Sequence, residues 1–184
     1  MLYQDVIIAG FGGQGVMLIG NLLAYAGMNQ GLSVTYIPVY GPEMRGGTAN
    51  CTVVVSEDEI GSPIIRTPMS LVLMNRPSLD KFQPRMADGG ISIVNSSLIE
   101  PELAETERIK SIFVPCNETA DKLGNTRMAN MVAIGAYVQA TGVMPVQAVK
   151  DALTNVISPR YAKLIPANGN AIDAGAEIAA KAMA

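Results

Sequence analysis

The stretch Val6-Ile7-Ile8-Ala9-Gly10-Phe11-Gly12-Gly13-Gln14-Gly15-Val16 decides the fold. Its first four residues form a short, continuous apolar run, the pattern of a strand buried on both faces of a parallel sheet. The glycines that follow match G-x-G-x-x-G. Beyond them Val16, Ile19, Leu22, Leu23 and Ala26 recur at helical spacing until Gly31 stops the pattern. Residues 33–39, rich in β-branched and aromatic side chains, then read as a second strand, so the segment predicts a β–α–β unit.

Working outward, further strands are predicted at 51–55, 71–74, 91–94 and 112–114, each bounded by Gly, Pro, Ser or Asn. Pro77 suits the opening of a short helix to Met86, and Asn117 suits the cap of one reaching Leu123. From Thr126 the character is helical: 127–140 ended by Gly142, 145–156 with Pro145 in its first turn, and 171–182. Between the last two, 160–170 mixes a helix-like start with Pro166 and an Asn-Gly-Asn turn. Strands early and helices late predict an α/β fold over residues 1–184, taken as one domain: an open, mostly parallel Rossmann-like sheet flanked by helices, with a helical C-terminal layer.

Composition narrows the chemistry. The chain of 184 residues has no histidine, which removes the usual general base near neutral pH and the commonest transition-metal ligand. Cys51 and Cys116 lack the paired spacing of zinc or iron–sulfur sites. With a net charge of −3 and no Lys/Arg cluster, nucleic acid is not an expected partner. Hydrophobic residues make up 49% and charged residues 16%, which leaves little charge to cover a free surface and predicts a protein partner, or self-association when the chain is isolated. The apolar stretch 16–28 is broken by Gly20, Asn21 and Gly27 and is shorter than the ~20 residues a bilayer needs, so no membrane span is expected. Two cysteines, and a strand pattern that follows directly on the first residues, predict a reducing, cytoplasmic setting.

Two constellations are candidates for a site. Gly10, Gly12, Gly13, Gln14 and Gly15 permit a tight turn and close approach of a ligand to backbone, and amides at the helix start attract an anion; close helix–sheet packing would ask for the same glycines. A dinucleotide fold also places an acid about 20 residues further on for the ribose, yet no charged residue of either sign lies between Asp5 and Glu43, which disfavours NAD and NADP. The second block, Tyr40-Gly41-Pro42-Glu43-Met44-Arg45-Gly46-Gly47, follows the second strand, so both blocks are expected at one carboxyl edge, facing one crevice. Arg45 is suited to clamp phosphate or carboxylate, or to pair with Glu43.

Together these two blocks resemble the gamma subunit or domain of the pyruvate/2-oxoglutarate/2-ketoisovalerate:ferredoxin oxidoreductases. The likeness extends to 48–55, 71–94 and the Asn130-Met131-Val132-Ala133 helix. It implies a part in a multi-subunit oxidoreductase that converts a 2-oxoacid, coenzyme A and oxidised ferredoxin to acyl-CoA, CO2 and reduced ferredoxin. It also implies alpha, beta and ferredoxin-like partner subunits, with thiamine diphosphate and iron–sulfur clusters on those chains. Coenzyme A is then the co-substrate, this chain alone binds no cofactor and no metal, and the isolated chain is inactive. Gly10, Gly12, Gly13, Gln14, Gly15, Glu43, Arg45, Gly46, Gly47 and Asn130 are implied to lie at the coenzyme A pocket or a subunit junction. The alternatives are a free-standing dinucleotide- or flavin-binding protein and a purely structural assembly subunit. No residue reads as catalytic: Cys116, before a helix, is formally a nucleophile but lacks a histidine partner, and Cys51 reads as packing.

Overall fold

A computed structural model describes residues 2–39 and 48–184. Six strands form one sheet in the order β2-β3-β1-β4-β5-β6. They are β1 (Tyr3–Gly10), β2 (Ser33–Val39), β3 (Ala49–Ser56), β4 (Ser70–Leu73), β5 (Ile91–Asn95) and β6 (Lys110–Val114). The β1–β4, β4–β5 and β5–β6 pairs are parallel, whereas β3 runs antiparallel to both of its neighbours. Strands β1 and β2, joined by α1 (Val16–Asn29), therefore do run the same way, but β3 is inserted between them. The register makes the consequence plain: Asn50 of β3 is level with Ala9 on one side and Val39 on the other, so β1 and β2 end at the same height.

Alternation along the strands divides the core in two. Val6, Ile8, Cys51, Val53 and Val55 face a large cluster shared with α1 and the C-terminal helices. Ile7, Ala9, Leu71 and Leu73 face a smaller one closed by Leu79 and Phe82 of α2 (Arg76–Phe82) and by Ile99. The remaining helices are α3 (Cys116–Lys122), α4 (Ala129–Thr141), α5 (Val146–Asp151), α6 (Leu153–Val156) and α7 (Ile165–Met183).

Helix α4 is the centre of the helical layer: eleven of its thirteen residues are buried, which accounts for a helix apolar all round. Its crossing with α7 is made by two glycines. A Cβ on Gly135 would overlap the carbonyl oxygen of Ile172, and one on Gly175 would overlap that of Val132. Gly142, at φ 64°, ends α4 as its spacing predicts.

Three local expectations are corrected. α7 begins at Ile165 rather than Ala171, because Pro166 fits a first helical turn and Gly169 is buried within the helix, where a Cβ would lie 3.4 Å from Lys150 Cε; the Asn-Gly-Asn sequence is helix, not turn. α3 begins at Cys116, so Asn117 lies inside it. Its first amides are bound by side chains from the end of β5 instead: Cys116 N–H donates to Asn95 Oδ1 at 3.2 Å, and Asn117 N–H to Ser97 Oγ at 2.9 Å. The helix predicted over 145–156 is divided at Ala152 into α5 and α6.

Candidate functional site

The parallel strands β1, β4, β5 and β6 all deliver their carboxyl ends to one edge. From that edge the chain leaves β1 into α1 on the large-core face and leaves β4 into α2 on the other, so a crevice opens between Gly10 and Met74, where open α/β sheets place ligands.

Within the glycine loop the residues divide between two jobs. Gly10 is held by contact: a Cβ there would lie 2.6 Å from Gln14 Oε1 and 2.8 Å from Met74 Cβ. Gln14 folds back over the loop, accepting from Phe11 N–H at 2.6 Å and donating to the Met74 carbonyl at 3.2 Å, which ties the loop to the end of β4. Gly15, at φ 74°, is left-handed, and a Cβ on it would overlap the Asn130 amide. Asn130 in turn donates to the Gly15 carbonyl at 3.3 Å and accepts from Met131 N–H at 2.9 Å, so α4 holds the start of α1. Gly12 and Gly13 are the exposed members. Gly13, at φ 93°, faces open space, with nothing within 4 Å of where its Cβ would be.

In front of Gly13 lies a cleft of about 230 Å³ lined by Gln14, Met74, Asn117, Thr126 and Arg127. Its floor is a network of neutral amides. Buried Asn95 donates to the Met74 carbonyl at 3.3 Å and to Asn117 Oδ1 at 3.0 Å, and buried Asn75 holds Ser78 N–H at 3.0 Å while approaching Gln14 Oε1 at 3.5 Å. Among the described residues no carboxylate lines the cleft, and exposed Arg127 is the charged residue of its described lining. The nearest acid on α3, Glu118, accepts from the Ser97 hydroxyl, and that bond holds its carboxyl below the usual range. The arrangement suits an anion approaching exposed backbone beside a guanidinium.

Neither cysteine belongs to this chemistry. Cys116 is fully buried; desolvation, then the charge of Glu118, pushes its thiol far up. Burial pushes Cys51 up to about 12, its Sγ resting 3.5 Å from the Val16 carbonyl. The place beside β1 where a dinucleotide fold presents its ribose-binding acid is taken by the start of β3, with Asn50 at the level of Ala9.

Of the residues singled out from sequence, Gly10, Gly12, Gly13, Gln14, Gly15 and Asn130 come together here. Glu43, Arg45, Gly46 and Gly47 lie outside the described residues. The described ends on either side of that block, Val39 and Thr48, flank the same edge of the sheet. Met74, Asn117, Thr126 and Arg127 were not singled out as site residues. Their signal in the sequence is positional: Met74 and Asn75, Asn95, and Asn117 each stand at or just beyond the end of an apolar strand run, where a parallel sheet gathers them. Among the described residues no group of three or more Cys, Asp or Glu could hold a metal ion, and no helix is long and apolar enough to cross a membrane.

Sheet order, glycine loop and carboxyl-edge cleft define an open α/β protein with a crevice at its topological switch point. Residues 5–178 match the model of the pyruvate ferredoxin/flavodoxin oxidoreductase family, and the chain belongs to that family. It is 38% identical over 178 residues to ketoisovalerate oxidoreductase subunit VorA of Methanothermobacter marburgensis, a match covering 96% of this chain and 36% of that protein. It is 40% identical over 162 residues to the 2-oxoglutarate synthase subunit KorC of the same organism, covering 85% and 87%. The chain thus spans about a third of the VorA relatives and most of the KorC relative. The crystal structure of the gamma subunit of a keto/oxoacid ferredoxin oxidoreductase from Geobacter sulfurreducens superposes with a TM-score of 0.83 at 26% identity, covering 97% of this chain and 99% of that one.

Proposed function

We propose that this chain is the gamma-type component of a cytoplasmic 2-oxoacid:ferredoxin oxidoreductase, the complex that decarboxylates a 2-oxoacid, passes the acyl unit to coenzyme A and sends two electrons to ferredoxin. Its similarity to subunits named for ketoisovalerate and 2-oxoglutarate supports the reading. So does the lack of histidine, since a chain without that residue suits a supporting role. Alpha and beta subunits would hold thiamine diphosphate, which supplies the carbon chemistry when bound, and a ferredoxin-like subunit would hold the iron–sulfur clusters.

What this chain contributes is the handling of coenzyme A, and the carboxyl-edge cleft carries that part of the proposal. Coenzyme A is a polyanion, and the cleft offers exposed backbone at Gly13, with exposed Gly12 beside it, the guanidinium of Arg127 and, among the described residues, no opposing carboxylate. Gly10, Gln14, Gly15 and Asn130 keep that backbone in shape through the contacts described above. Glu43, Arg45, Gly46 and Gly47 would complete the site, because the strand that leads into them ends level with Ala9, next to Gly10.

The test is reconstitution with the partner subunits and an assay of 2-oxoacid- and coenzyme A-dependent acceptor reduction. Arg127→Ala and Arg45→Ala should each leave the complex assembled and raise the KM for coenzyme A about tenfold or more, the loss of one charge-assisted contact, with kcat little changed. An unchanged KM sinks the ligand role. Loss of assembly assigns the loops to subunit contact instead. The chain by itself should show no turnover.

A further inference from the structure

The cleft leaves an apolar feature of the described surface unexplained. Helix α1 carries no charged residue from Val16 to Asn29. Leu18, Asn21, Tyr25 and Met28 fall within roughly 80° of one another at helical spacing, Leu18 and Met28 exposed and Asn21 and Tyr25 half-buried, with Tyr25 packed against the core. Met28 is 58% and Leu18 36% exposed, where the outer stripe of a surface helix ordinarily carries charge.

At its N-terminal end this stripe runs into an open groove of about 390 Å³ between α1, the 126–128 turn and the 159–164 turn. Leu18, Met128, Met131, Ile157, Tyr161 and Leu164 line it, and Tyr161 and Leu164 remain 49% and 40% exposed. The charged residues of its described lining and of the 159–164 turn are all basic. Arg127 lines it, Arg160 lies over the Tyr161 ring at 5.6 Å, and Lys163 follows in the same turn. None of the described lining residues is acidic, and no acid occurs in the sequence between Asp151 and Asp173. A chain of net charge −3 thus presents a positively rimmed, apolar face.

We propose that this face seats a segment of a partner subunit in which apolar side chains alternate with carboxylates: the apolar residues enter the groove and continue along α1 toward Met28, and the carboxylates meet Arg160 and Lys163. Charge complementarity selects an acidic segment. The extent selects a polypeptide, since Leu18 to Met28 alone spans about 15 Å of helix beyond the groove itself. Met128 and Met131, both buried, form the base of the groove, and Tyr161 and Leu164 are its exposed apolar walls. The docking rests on the proposed membership of an oxidoreductase complex and adds to it the surface and the chemistry of the contact.

The experiment places a photoreactive benzoylphenylalanine at Leu164 in the complex co-expressed with its partner subunits, and a control at Leu103, which is exposed on another part of the surface. Cross-links from position 164, and not from 103, should map to one stretch of a partner subunit bearing apolar residues and at least two carboxylates. Arg160→Glu combined with Lys163→Glu, both at exposed positions, should weaken that subunit's binding roughly tenfold or more, and lysines at the cross-linked carboxylates should restore it. The proposal is overturned by an assembled complex with no cross-link at 164, by a cross-link to a second copy of this chain or to a stretch without carboxylates, or by charge reversal without effect on binding. A wild-type chain that joins no such complex overturns the docking together with the function on which it rests.

Discussion

At the residue scale, the pair Gly15 and Asn130 shows how the glycine loop is kept in shape. Gly15 is constrained twice, by a φ of 74° and by the Asn130 amide packed against it. Gly15→Ala should cost about 1–3 kcal/mol in urea unfolding. Adding Asn130→Ala should return only part of that, because it relieves the overlap and leaves the backbone strain; fully additive losses would show the overlap to be unimportant. Asp5 predicts a pH effect. It is buried, with its carboxylate accepting from Met69 N–H at 2.7 Å, and burial raises its pKa despite that bond and one from Tyr3. A carboxyl that holds its proton more tightly when folded contributes stability that is complete below its unfolded pKa of about 4 and is lost as pH rises through the higher folded value. Asp5→Asn should flatten that decline in a series of unfolding curves; an identical slope in both proteins would refute it. Both thiols, buried and raised in pKa, should resist iodoacetamide at pH 8 until urea unfolds the chain, as read by mass spectrometry. The glycine loop was legible at this scale because its motif is local. Arg127 was not, because nothing in residues 125–130 reveals that the turn folds back against Gly13, more than a hundred residues earlier.

At the scale of elements, the strands were the most legible, since short apolar runs between turn residues have few other uses in a chain of this composition. The parallel pairing of β4, β5 and β6 also followed from helices and turns spaced between them. The antiparallel insertion of β3 did not, because apolar alternation says which face a residue takes and not which neighbour a strand chooses. Helix starts were misplaced wherever the cap comes from elsewhere in the fold, as at α3, whose first amides are bound from Asn95 and Ser97. The α4–α7 crossing carries the clearest energetic prediction. Gly135→Ala or Gly175→Ala must push helix backbone from helix backbone, and each should lower stability by about 3 kcal/mol or more. Gly31→Ala, where no atom lies within 4 Å and only the positive φ resists, should cost about 1–2 kcal/mol. Comparable losses at the three positions would mean that the close crossing is not what holds the helical layer.

For the whole molecule, protection should follow sheet order. Amides of β1 and β4, interior to the sheet and covered by core on both faces, should exchange most slowly with solvent, and those of edge strand β2, whose residues are at best half-buried, should exchange first. The same order bears on how much change the edge of the crevice tolerates. Val39 and Thr48 leave and re-enter adjacent antiparallel strands, with Val39 paired to Asn50 beside the glycine loop. The eight residues joining them are a bridge between two fixed piers, and doubling the length of such a bridge costs only about 0.6 kcal/mol. The sheet therefore tolerates changes in the length of that connection, so whatever constrains its residues comes from what they bind and not from the scaffold.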